Sequence, residues 1–233
     1  MLKPILRLSK NIVIKFLALL GYQIHRIDLP PPSISSGFMT HVNKVPGMIS
    51  LTQALLYYWI NFSQRQAGDV LEIGCWQGRS TIALAQACKD SGNGIVHVVD
   101  HFKGNPGKQI YYVVEKDDLS DLQQIFQRNI SNAVLSEFVS LYAKSVDQVN
   151  ISIKIRLLVI DGEHTYKAVL SDFRRFRNLL TPGAIVIFDD YDEHFPEVIK
   201  AVNKIHKDEP GSRISNYQRM AVLTFPDEPS PYL

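Results

Sequence analysis

Residues 69–81 read Asp69-Val70-Leu71-Glu72-Ile73-Gly74-Cys75-Trp76-Gln77-Gly78-Arg79-Ser80-Thr81: an apolar run that breaks at a glycine and resumes as a helix. Glycine after a strand lets the chain turn tightly and lets a ligand approach the backbone. The helix that follows then points its free amides at an anion. The spacing is Gly74-x-x-x-Gly78 with the bulky Trp76 between, not G-x-G-x-x-G. That disfavours a dinucleotide pyrophosphate and suits a smaller anion such as an amino-acid carboxylate. Ser80, in the first helical turn, adds a hydroxyl donor. The plain alternative is a tight strand–helix turn and nothing more.

Strands and helices alternate outward from this turn. Strands are expected at 69–74, 94–100, 137–143, 156–161 and 184–190, and one or two more within 213–225. Helices are expected at 79–88, 118–130, 164–180, stopped by Thr181-Pro182-Gly183, and 196–206. An apolar pattern of period 3.6 predicts a further helix from Met48 to Gln66. Apolar strands without alternation, separated by helices, imply a parallel sheet covered on both faces. The fold class is therefore doubly wound α/β, with its site at the carboxyl ends of the strands near the switch point. Residues 28–47 are rich in Pro, Ser and Gly and read as a linker or lid. The long polar and aromatic stretch 101–118 reads as a lid over a second substrate.

The chain has 233 residues, enough for one α/β domain with decorations. Lys and Arg number 25 against 23 Asp and Glu, so no basic excess marks a nucleic-acid partner. Two cysteines, Cys75 and Cys88, exclude a disulfide scaffold and a four-cysteine zinc site, and a reducing compartment, the cytoplasm, fits. Residues 1–27 carry Lys3, Arg7, Lys10, Lys15 and Arg26 and no acid. Lys15 interrupts the apolar run, so the segment is too broken to span a bilayer. It reads as an amphipathic helix docked on the domain or a second subunit, or lying in a membrane surface. The division expected is 1–45 for this helix and linker, and 46–233 for the domain.

Asp100 ends the second strand, where a carboxylate accepts bonds from both hydroxyls of a ribose; the alternative is a turn cap. Ser145 follows the third strand at the place of an adenine edge, or caps a short helix. Asp161 ends the fourth strand in Val159-Ile160-Asp161-Gly162-Glu163-His164, and Asp189 and Asp190 end the fifth in Phe188-Asp189-Asp190-Tyr191. Three carboxylates converging on one edge repel one another unless a hard cation such as Mg²⁺, Mn²⁺ or Ca²⁺ sits among them. His164, three residues past Asp161, reaches the same cavity as a general base. His101 borders the nucleoside position, and His97 reads as structural.

These residues resemble class I S-adenosylmethionine-dependent methyltransferases, and within them the metal-dependent O-methyltransferases of catechol and macrocin/rhamnosyl type. The resemblance covers residues 46–225. It implies a mostly parallel, Rossmann-like sheet with an antiparallel C-terminal strand. It implies that Gly74, Gly78 and Ser80 hold the methionine end of the cofactor, with Glu72 supporting the loop. Asp100 would hold the ribose, and His101 and Ser145 the adenine. Asp161, Asp189 and Asp190 would bind Mg²⁺ or a similar ion, and His164 would be the base. A histidine at that place points to a small-molecule or sugar hydroxyl as acceptor.

Three rivals stand beside this reading. One is a metal-independent methyltransferase with a structural Asp cluster. Another is a nicotinamide oxidoreductase, disfavoured by the missing glycine fingerprint. The third is a non-catalytic membrane-surface or assembly module built on residues 1–27. The extra N-terminal helix also makes a homo-oligomer an expectation.

Overall fold

The computed structural model describes residues 37–104 and 121–227. The expected helix at 1–27 and most of the expected lid at 101–118 lie outside these residues. Among the described residues no helix is long and apolar enough to cross a membrane.

Seven strands form one sheet: β1 Asp69–Ile73, β2 Val96–Val99, β3 Val139–Tyr142, β4 Ile155–Ile160, β5 Leu180–Phe188, β6 Arg213–Tyr217 and β7 Met220–Thr224. Their order is β3-β2-β1-β4-β5-β7-β6. β1 to β5 pair in parallel, and β7 joins β5 antiparallel with β6 outside it. The expected fold class holds, and the terminal segment forms two strands. The order reverses between β1 and β4, so the switch point lies where Gly74 and Asp161 emerge.

β4 is buried along its whole length, as a central strand covered on both faces should be. Leu157 and Val159 pack into one apolar layer, Leu158 and Ile160 into the other. The first layer is built with α1 Gly37–Lys44, α2 Leu51–Ser63, α3 Arg79–Ser91 and α4 Leu122–Asn132. The second is built with α5 Tyr166–Phe176 and α6 Pro196–Asp208.

Two expectations about elements are corrected. Within the segment read as linker or lid, residues 37–44 form α1, because Phe38 and Val42, one helical turn apart, are both buried against the first layer. Arg79 fastens the connection that follows: Nε donates to the Val42 carbonyl at 3.0 Å and Nη1 to that of Ile49 at 2.7 Å. Thr181-Pro182-Gly183 does not end a helix. α5 ends at Phe176, a single 3-10 turn follows, and β5 already starts at Leu180. The ladder passes from Ile155↔Leu180 to Leu157↔Ile185, so these residues bulge out of register, which is how a strand accommodates proline.

Candidate active site

The first half of the site forms where β1, β2 and α3 meet. After β1 the chain runs against the end of β4: the Asp161 amide donates to the Ile73 carbonyl at 2.8 Å. Gly74 has φ 81°, and a Cβ there would stand 2.1 Å from the Asp161 carbonyl oxygen, so only glycine fits. Gly78, at φ 92°, starts α3 and lies under the Phe126 ring. Between them Trp76 takes the left-handed conformation, φ 50°.

The Asp100 carboxylate holds this loop. Oδ2 accepts the amides of Cys75 at 2.9 Å and Trp76 at 3.3 Å, and Oδ1 that of Phe102 at 2.7 Å. The expected alternatives were a ribose contact and a turn cap; the structure shows Asp100, just after β2, accepting the amides of the glycine turn. Glu72 is fully buried beneath the turn and accepts the Thr81 hydroxyl at 2.5 Å. Burial pushes its carboxyl up to about 7, opposed by the hydroxyls of Ser80 and Thr81. Ser80 is itself buried beside it. His101 accepts the Lys103 amide at 3.0 Å. Ser145 starts a 3-10 turn without a capping bond from its side chain. His97 joins Tyr142 and Asp69 in the sheet, a structural role as expected.

The second half lies at the ends of β4 and β5. His164 Nε2 is 2.8 Å from Asp190 Oδ2 and 4.0 Å from Asp161 Oδ1. Its ring leans on Phe195, with centroids 4.7 Å apart. Thr165 caps α5 immediately after it, accepting the Ala168 amide at 3.2 Å, which fixes the backbone behind the imidazole. One ligand atom each from Asp161, His164 and Asp190 lie within 4.8 Å of one another.

Asp189, expected to face the same centre, is gripped from behind. Its Oδ1 accepts Gln53 Nε2 at 3.2 Å and the Asp190 amide at 2.9 Å, and Oδ2 accepts the Tyr57 hydroxyl at 3.3 Å. The structure thus brings Asp161, Asp190 and His164 together and sets Asp189 beside them at the end of β5, hydrogen-bonded to Gln53 and Tyr57 of α2. Burial, then Asp189 and Asp190, push the Asp161 carboxyl well above the usual range. Burial and Asp190 push Asp189 up to about 6. The Tyr57 hydroxyl is held protonated by burial and by Asp189. Surplus negative charge with a nearby imidazole is a donor set that suits a divalent cation.

Arg219, at the β6–β7 turn, was missed by sequence reasoning. It donates through Nη2 to Asp190 Oδ1, and through Nε to Asp192 Oδ2 at 2.5 Å. Gln53 and Tyr57 were missed as well. Their one signal is a polar pair one turn apart on a mostly apolar helix.

Comparison with known proteins agrees with this architecture. A family model described as a methyltransferase domain matches residues 71–191. The O-methyltransferase NovP is 18% identical with TM-score 0.65, covering 93% of this chain and 97% of NovP. An O-methyltransferase from Bacillus cereus, solved in complex with SAH, is 17% identical with TM-score 0.58, over 92% and 97%. TomG from Streptomyces achromogenes, solved with SAM, is 16% identical with TM-score 0.55, over 93% and 96%. At these identities the likeness is one of fold. An uncharacterized protein, R132 of Acanthamoeba polyphaga mimivirus, is 35% identical over 75 residues, which are 31% of this chain and 34% of that protein. The model spans more than half of the sequence and both halves of the site, and the chain belongs to the methyltransferase-domain family.

Proposed function

We propose that the chain transfers a methyl group from S-adenosylmethionine to a hydroxyl oxygen of a small molecule or sugar. One observation carries the reading: the Asp161, His164 and Asp190 cluster stands directly across the β1/β4 switch point from the glycine turn. Gly74, Gly78 and Ser80 would hold the methyl donor next to that cluster, and the donor would supply an electrophilic methyl group. SAM- and SAH-bound structures of the same fold, TomG and the Bacillus cereus enzyme, support the choice of donor.

The donor's methyl is already electrophilic, so the protein must supply an aligned, deprotonated oxygen. His164 takes the proton of the acceptor hydroxyl. Asp190, 2.8 Å from Nε2, stabilises the imidazolium that results. Phe195 holds the ring against rotation. Asp161 and Asp190, with Asp189 beside them, would hold a divalent ion, which would lower the hydroxyl pKa and orient the oxygen, leaving His164 as the base. Gly74 lets the turn pass against the Asp161 carbonyl, and Asp100 fixes the shape of the loop on which the donor would rest.

The first test is calorimetry with S-adenosylhomocysteine, with MgCl₂ and then with excess EDTA. Micromolar binding is expected, lost in Asp100→Ala. Absence of binding under every condition would sink the reading. Sugar and phenolic acceptors are then screened for Mg²⁺-dependent methylation. Activity undiminished by EDTA would replace the metal by His164 alone.

A further inference from the structure

Asp190 faces a cationic or titratable partner at each of its two oxygens. Its Oδ2 faces His164 at 2.8 Å, and its Oδ1 is held by Arg219. Arg219 also reaches Asp192 and lies over the Phe195 ring, 5.7 Å from the centroid. Asp190, His164, Phe195 and Arg219 therefore close a ring of contacts. The turn that delivers Arg219 is anchored at two points. The Tyr191 amide donates to the Arg219 carbonyl at 2.7 Å, and the Ser50 hydroxyl donates to Gln218 Oε1 at 3.2 Å.

A cation entering among Asp161, His164 and Asp190 meets a fixed guanidinium already paired with one of its ligands. We propose that Arg219 is a built-in counter-cation that competes with the divalent ion for Asp190 and keeps the affinity of the site low. This rests on the metal-assisted reading above. Two effects of removing Arg219 oppose each other. Asp190 would lose a partner that orients it, which weakens ion binding. The cluster would also lose a positive charge a few ångströms from the ion, which strengthens it. The charge effect is the larger. Asp has few rotamers to lose. Its backbone direction is fixed independently, because its amide donates to Asp189 Oδ1 at 2.9 Å. In a half-buried site the repulsion between guanidinium and dication is poorly screened.

The test is titration of the cofactor-free protein with MnCl₂, followed by electron paramagnetic resonance of the free ion. Arg219→Gln should bind Mn²⁺ about fivefold tighter than wild type or better, from the charge removed. Arg219→Lys keeps the charge and should stay within about twofold of wild type. A merely structural role would loosen binding in both variants. Thermal midpoints and S-adenosylhomocysteine binding check that each variant is folded. Wild type and Arg219→Gln binding Mn²⁺ equally would overturn the counter-cation and leave the metal site standing. Binding by neither would overturn both.

Discussion

The residues of the turn differ in what a substitution would cost. At Gly74 an added Cβ meets the Asp161 carbonyl at 2.1 Å and φ is 81°. Backbone must move against backbone, in the middle of the sheet. Gly74→Ala is therefore expected to lose 3 kcal/mol or more, on the order of the largest single-residue effects. Gly92 has φ 64° but open space around it, so Gly92→Ala pays only the left-handed strain, about 1 kcal/mol. Chemical denaturation of the two variants should show this gap, and equal losses would contradict the geometry. His164 is predicted to matter differently. On the proposed base role, His164→Ala should lower kcat by roughly 10²–10⁴-fold while S-adenosylhomocysteine binds as before. Loss of cofactor binding in that variant would move His164 out of the base role.

At the scale of elements, what holds the sheet's far end is Arg156, at the start of β4 and fully buried. Its guanidinium donates to Gly68, Asn61, Asn93 and Gln64, so it ties the end of α2, the start of β1 and the end of α3 to one strand. Arg156→Met would strand several buried carbonyls and is expected to cost about 3–5 kcal/mol. Since Asp161 and Gly74 lie at the opposite ends of their strands, cofactor affinity of the folded variant should not change. A variant that keeps its stability but loses affinity would show that this end is coupled to the site. Arg156 also shows the limit of reading elements from sequence. The alternation of apolar strands and helices was legible because each signal is local. So were the positions of the glycine turn, Asp100, Asp161 and His164 at the strand ends, though not the contacts of Asp100 with the loop amides. Arg156 reads as a blemish in an apolar run, because its partners come from three distant segments. α1 was hidden in a Pro- and Ser-rich stretch, since its helix is specified by packing of Phe38 and Val42 rather than by propensity. Arg219, Gln53 and Tyr57 reach Asp190 and Asp189 only after the chain has folded.

For the whole molecule these buried acids set how stability follows pH. Glu72 and Asp172 are each pushed up to about 7, with burial the first cause, and Asp189 to about 6. Asp161 is also raised well above the usual carboxylate range, by burial and then by its carboxylate neighbours. Between the usual carboxylate range and these raised values the folded protein binds more protons than the unfolded chain. Stability therefore falls as pH rises through that window. Glu72 alone moves from 4.5 to about 7, an upper bound of about 3 kcal/mol by the conversion of pKa into free energy. Asp192, held low by the His194 amide and Arg219, acts in the opposite sense but only below the usual carboxylate range. The thermal midpoint should thus drop between pH 5.5 and pH 8. Glu72→Gln should flatten part of that drop, because the amide cannot ionise and still offers an oxygen to Thr81. A divalent ion needs the carboxylates ionised, so MgCl₂ should raise the midpoint at pH 8 and do little at pH 5.5, with EDTA reversing the gain. A midpoint that rises with pH would show that the buried acids do not govern stability. A Mg²⁺ effect equal at both pH values would place the ion somewhere other than Asp161 and Asp190.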